Sequence, residues 1–160
     1  MNRPVDPDRI QKSLLGQDLD LAEAKILADI MECRELADAD QLVEEGGTEA
    51  TLFLLVDGQL RVASSAQGKP EIVHTMHAGE CAGTRAFVDR VERLATITAR
   101  GPATVYALDP EDLESLLDTH PRVVYRTMRG IFRATHANLD RVYKQAEQLA
   151  NYVTKTHGRY

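Results

Sequence analysis

Between residues 18 and 31 apolar residues recur at three- and four-residue steps, with Leu21, Ala24, Leu27, Ile30 and Met31 on one side and Asp18 or Asp20 in place as an N-cap. That spacing predicts one short amphipathic helix. From Arg34 to Leu108 the texture changes to short apolar or alternating runs at 41–45, 51–56, 59–64, 71–76, 95–99 and 104–108, which read as strands. Turn signals punctuate them at Gly46-Gly47, Asp57-Gly58, Gln67-Gly68, Ala78-Gly79 and Gly101-Pro102. A rhythm of roughly 8–12 residues suits a sandwich, a barrel or a jelly roll. Asp57-Gly58, between TLFLLV and QLRVAS, has the chemistry of a two-residue hairpin turn, because type I′ turns need positive φ at both central residues.

Asp109-Pro110-Glu111-Asp112 then opens a helix: Asp as cap, Pro where its missing N–H costs nothing, and acids facing the positive helix end. Leu113, Leu116 and Leu117 supply its apolar face. A second start signal stands at Thr119-His120-Pro121, and from there to about Val153 no Pro follows and Gly130 is the only Gly. One long helix fits this stretch. Tyr125, Met128, Phe132, Thr135, Leu139, Val142, Ala146, Leu149 and Val153 follow alternating steps of three and four along it, the narrow seam of a coiled coil rather than the wider stripe of a helix lying on its own domain. With one such helix per chain, the expected partner is a second copy, and the sequence predicts a homodimer.

Composition narrows the classes of function. Two cysteines, Cys33 and Cys81, are too few for a disulfide scaffold, an all-cysteine zinc site or a four-thiolate cluster. No signal-peptide pattern and no run of about 18 apolar residues occurs, so a cytoplasmic protein without membrane association is expected. The phosphate-loop, dinucleotide, nucleophile-elbow and zinc-protease signatures are all absent. The net charge of −6 hides a division: residues 1–120 hold 11 Lys/Arg against 23 Asp/Glu, whereas residues 121–160 hold 8 against 2. Arg122, Arg126, Arg129 and Arg133 form a stripe beside the seam. Phosphate contacts need only placed cations, but complementarity to the acidic part of this chain or its partner accounts for the stripe as well. No helix-turn-helix pattern follows residue 153, and direct DNA binding is not expected.

Two segments carry a family resemblance. Leu42-Val43-Glu44-Glu45-Gly46 with Thr51-Leu52-Phe53-Leu54-Leu55-Val56-Asp57-Gly58-Gln59-Leu60-Arg61-Val62 is one; Gly79-Glu80-Cys81-Ala82-Gly83-Thr84-Arg85-Ala86-Phe87 with Arg93-Leu94-Ala95-Thr96-Ile97-Thr98-Ala99 is the other. They resemble the strand core and the phosphate-binding cassette of the cyclic nucleotide-binding domain, as found in the sensory half of catabolite activator protein-like regulators, over roughly residues 20–153. The resemblance implies an α+β fold: an antiparallel β-roll (a double-stranded, cupin-like jelly roll) flanked by an N-terminal helix, a short helix and a long C-terminal dimerisation helix. The chain then divides into an N-terminal tail at 1–17, the β-roll domain with its flanking helices at 18–120, and the long helix with a short tail at 121–160.

The chemistry of such a cassette rests on few residues. A turn entering a short helix at Gly83 permits close approach, and a guanidinium arriving from the next strand adds charge-assisted donors to a phosphate. The resemblance gives Arg93 the phosphate and places Gly83, Thr84, Arg85, Ala86 and Leu94 around it, with Thr135 and Asn138 of the long helix toward the base. In the family the residue after the glycine is a Glu that accepts bonds from the ribose 2′-hydroxyl; here it is Thr84. Losing a charge-assisted bond of about 1.5–3 kcal/mol lowers affinity roughly ten- to a hundredfold. Either cyclic AMP and cyclic GMP are lost and the domain is a ligand-free dimeric interaction module, or another anion is taken with Arg85 as a second cation. The first expectation is a sensor module for a small anionic, nucleotide-like ligand, with no resident cofactor, signalling to a protein partner. His74, His77 and Cys81 do not form a preformed ligand set if 71–76 is a strand, and neither a metal triad nor a catalytic acid pair can be assembled.

Overall fold

The computed structural model describes residues 3–66 and 68–158, with the backbone alone of His157. Gln67, half of one predicted turn signal, lies outside the described residues, as do the first two positions of the 1–17 segment and the last two of 121–160. In chain order the elements are α1 (Pro7–Gln11), α2 (Leu21–Asp29), β1 (Glu32–Leu36), β2 (Gln41–Val43), β3 (Leu52–Ser64), β4 (Glu71–Met76), β5 (Cys81–Ala82), α3 (Thr84–Asp89), β6 (Thr96–Leu108), α4 (Pro110–Glu114) and α5 (Pro121–His157). All strand pairs are antiparallel, in the order β1-β6-β3-β4, with β2 on β6 and β5 on β3. This is the expected α+β architecture, a β-roll carrying helices and a long C-terminal helix.

The roll has two apolar faces, and strand alternation builds both. Leu52 and Leu54 of β3, with Tyr106 and Leu108 of β6, face outward into a core shared with Ile10, Leu15, Ala24, Leu27, Val123 and Ile131 of the helical layer. Phe53 and Leu55, with Val105 and Ala107, face inward and meet Leu60, Met76, Ile97 and Ala99 inside the roll. TLFLLV is therefore a continuous apolar run because both of its sides are covered. The predicted hairpin at Asp57-Gly58 does not form. Residues on both sides of it pair with β6, from Leu52↔Leu108 to Ala63↔Thr96, and the register shifts at Asp57 mark a bulge that bends one 13-residue strand. Gly58 does adopt φ 84°, but within that bulge. Gly101-Pro102 likewise sits inside β6 rather than between two strands.

The helices refine the expectations further. Residues 7–11, predicted as part of a tail, form α1 behind an Asp6 cap, and the 0% exposed Ile10 and Leu15 sink into the outer core. Of the two candidate caps for α2, Asp20 serves, in a reciprocal capping box with Glu23. Asp18 instead accepts from Arg133 at 2.5 Å and pairs with Arg129 at 3.4 Å, while Glu23 also binds Arg126. Arg133 holds the Asp18 carboxyl below its ordinary range. Asp109 precedes α4, yet its carboxylate accepts from the Thr51 hydroxyl at 2.5 Å and makes no cap bond. α5 crosses the α1–α2 connection at Gly130, where the Leu15 carbonyl fills the space a Cβ would need. Val123, Val124, Thr127, Ile131 and Ala134 are the buried side chains of α5; from 135 on no described side chain is buried, and the helix runs free for roughly 34 Å at 1.5 Å per residue. Among the described residues no helix is long and apolar enough to cross a membrane.

Candidate functional site

A cavity of about 220 Å³ opens between the inner face of the roll, α3 and the free part of α5. Its floor is apolar, with Val43, Val62, Met76 and Ile97 from the strands. The segment from Gly83 to Ala86 and the Arg93-Leu94 pair form one wall. Asn138 and Arg141 reach it from α5. The structure thus brings together seven of the eight positions singled out in the sequence. Thr135 lies off the cavity: its exposed side chain shares a face with the seam, and its hydroxyl donates to the Ile131 carbonyl at 2.9 Å. Arg141 was missed. The signal for it is helical spacing, since 127, 131, 134, 138 and 141 continue a single row, three buried positions followed by two that meet the cavity.

Gly83 and Arg93 are interlocked. Gly83 holds φ 86° and ψ 22° at the start of α3, a left-handed conformation that disfavours any Cβ. The Arg93 Nη1 occupies the space that Cβ would take. The Arg93 backbone is pinned to the Gly46-Gly47 turn, its N–H donating to the Gly47 carbonyl at 2.9 Å and its carbonyl accepting from Gly46 at 2.8 Å. The side chain is 6% exposed, lies 5.8 Å from the Phe53 ring centroid, and donates through Nη2 to the Thr51 carbonyl at 2.6 Å. Nε and Nη1 are buried without a hydrogen-bond partner. A surface ion pair with Glu92 or Asp89, the plain alternative for this residue, is not formed; it is the neighbouring Arg90 that pairs, with Glu111 at 2.5 Å. Burial pulls the Arg93 pKa below the ordinary guanidinium value.

Also in the lining, Glu80 has a partner on each oxygen: Oε1 lies 2.9 Å from His74 Nε2 and Oε2 accepts from the His77 backbone N–H at 2.6 Å. Cys81 is buried in the outer core, and burial pushes its thiol up to about 12, far from the thiolate a metal would need. Its backbone borders the same cavity as His74, but no group of three or more His, Cys, Asp or Glu residues able to hold a metal ion occurs among the described residues.

A β-roll with a glycine-entered short helix and a buried arginine beside a half-open cavity has the architecture of the cyclic nucleotide-binding β-roll fold. A family model for the cyclic nucleotide-binding domain matches residues 33–120, and the chain belongs to that family. It is 29% identical over 87 residues to a cAMP-dependent protein kinase regulatory subunit of Mycosarcoma maydis, a match covering 54% of this chain and 17% of the relative. A solved cyclic nucleotide-binding domain from Methylobacillus flagellatus superposes with a TM-score of 0.79 at 22% identity, over 86% of this chain and 78% of that one. The catabolite activator protein of Thermus thermophilus does so at 0.68 and 21%, over 89% and 63%. The chain spans less than a fifth of the curated relatives it matches, and the two structures are similar to it in fold.

Proposed function

We propose that this chain is a cytoplasmic, homodimeric sensor domain that binds a small anionic, nucleotide-like ligand in the cavity and signals to a protein partner. The observation that carries the reading is Arg93, a buried guanidinium with two donors lacking an acceptor. Leaving such donors unpaired costs about 1–3 kcal/mol each, and more for a charged group, a penalty that a phosphate in the cavity offsets. The fold supports a regulatory role: α3 and α5 both border the cavity and touch each other, so a ligand with different affinity for two α3–α5 arrangements shifts their populations. The relatives named for kinase regulation and catabolite activation support the same kind of output. Dimerisation is supported by the seam, which the roll leaves uncovered: Tyr125 is 62%, Phe132 64% and Leu149 65% exposed.

Isothermal calorimetry with cyclic AMP, cyclic GMP and cyclic dinucleotides tests the site. At least one is expected to give heat that Arg93→Ala abolishes while circular dichroism stays unchanged. The same heat in the variant overturns the assignment, and so does no heat with this panel and with the 5′-monophosphates and 3′,5′-bisphosphates of adenosine and guanosine. A ligand at about 100 times its Kd should add roughly 2.7 kcal/mol of stability. The alternative, a ligand-free dimeric interaction module, is favoured by Thr84 in place of a carboxylate and by the bond from Arg93 to the Thr51 carbonyl. It expects no heat from the whole panel.

A further inference from the structure

We infer that the cavity suits a ligand bearing two or more negative charges, and that Arg141 of α5 sets this preference; the inference rests on the reading of the cavity as a ligand site. The wall holds three guanidinium groups, Arg85, Arg93 and Arg141, and two carboxylates, Glu80 and Glu92. Each Glu80 oxygen has one partner, His74 or the His77 N–H, and Glu92 is exposed. None of the three arginines has an ion-pair partner among the described residues.

That is not a general property of the helix. Arg126, Arg129 and Arg133, also on α5, each hold a carboxylate on α2 or just before it, whereas Arg141 is half-buried against the cavity with none. Thr84 adds a hydroxyl that stays accessible on a largely buried residue and has no hydrogen bond among the described residues, and it can donate to an oxyanion where a carboxylate would repel it. The wall is therefore rich in free donors and poor in free acceptors. One negative charge can answer Arg93; a second is needed before Arg141 has a counter-charge. The ligand class that fits is a nucleotide with a terminal phosphomonoester rather than a single cyclic phosphodiester.

The test holds base and sugar constant while charge varies. Cyclic 3′,5′-AMP, 5′-AMP and adenosine 3′,5′-bisphosphate carry about one, two and four negative charges at pH 8, and the guanosine series matches them. Affinity of the wild-type chain is expected to rise about tenfold from the cyclic ester to the 5′-monophosphate. Arg141→Gln should erase most of that gain, so that the cyclic ester and the 5′-monophosphate bind the variant with similar affinity. Arg122→Gln, exposed and away from the cavity, controls for net charge and should leave the series intact. Cyclic esters binding as tightly as the monophosphates, or Arg141→Gln weakening every probe by one factor, overturns this inference; if Arg93→Ala still abolishes binding, the site itself stands. Wild-type chain that binds none of the six overturns the inference as well, and the site falls with it only when the cyclic dinucleotides also give no heat.

Discussion

Gly83 and Arg93 compete for one volume, and only because position 83 has no side chain can the guanidinium lie against the start of α3. Gly83→Ala adds a Cβ where Nη1 sits and places a non-glycine residue at φ 86°, a conformation that costs about 1–2 kcal/mol by itself. The variant should melt roughly 2–8 °C lower than wild type by calorimetry, with any Arg93-dependent ligand binding lost. An unchanged melting temperature would show that the two residues are not in contact. The cassette residues were legible in the sequence through their resemblance to the family motif, with Gly83 opening α3 and Arg93 in the loop that leads into β6. Arg141 was not legible in that way, since it enters the cavity from a helix that begins far down the chain.

At the scale of elements, the largest group of ion pairs among the described residues joins α5 to the start of α2. Asp18 and Glu23 receive Arg126, Arg129 and Arg133, so the acidic–basic division of the sequence is partly a contact within one chain. The folded state holds the Asp18 carboxyl below its ordinary value, chiefly through the Arg133 bond. Its contribution is therefore complete above the unfolded pKa and disappears as pH falls through the lower folded one. Asp18→Asn should lower stability at neutral pH and flatten the loss of stability below about pH 4, as read by urea titrations at several pH values. Identical acid limbs in the two proteins would remove Asp18 from the coupling. Turn chemistry misled at this scale. Asp57-Gly58 and Gly101-Pro102 have turn residues, but they face each other across β3 and β6, and long-range pairing absorbed both as irregularities in continuous strands.

For the whole molecule, the free length of α5 carries the decisive prediction. Leu139, Val142, Leu149 and Val153 are exposed along a helix that leaves its own domain after Ala134. A helix of that length with an uncovered apolar seam is expected to pair. Wild-type chain should be dimeric at micromolar concentration in light scattering, and Leu139→Asp should shift it toward monomer without loss of the β-roll's circular dichroism. A monomeric wild type would refute the dimer. Pairing would also bear on the cavity, because Asn138 and Arg141 lie about a fifth and a third of a turn round the helix from the seam, so a partner that fixes α5 would also fix one side of the cavity.

Periodicity along the chain was sufficient to specify the strand-rich middle, the short helices near 21–29 and 110–114 and the single long helix, because each depends on neighbours within one or two turns or on simple alternation. It also determined which apolar residues of α5 fall on one narrow face. What the sequence alone left open was which surface each element would meet. Tertiary packing decided that β3 and β6 run unbroken, that Ile10 of residues 7–11 belongs to the core, that Asp18 binds arginines instead of capping a helix, and that Arg93 is buried rather than paired at the surface. Each of these turns on groups far apart in the chain competing for one partner or one volume, and that competition is resolved only when the layers close on each other.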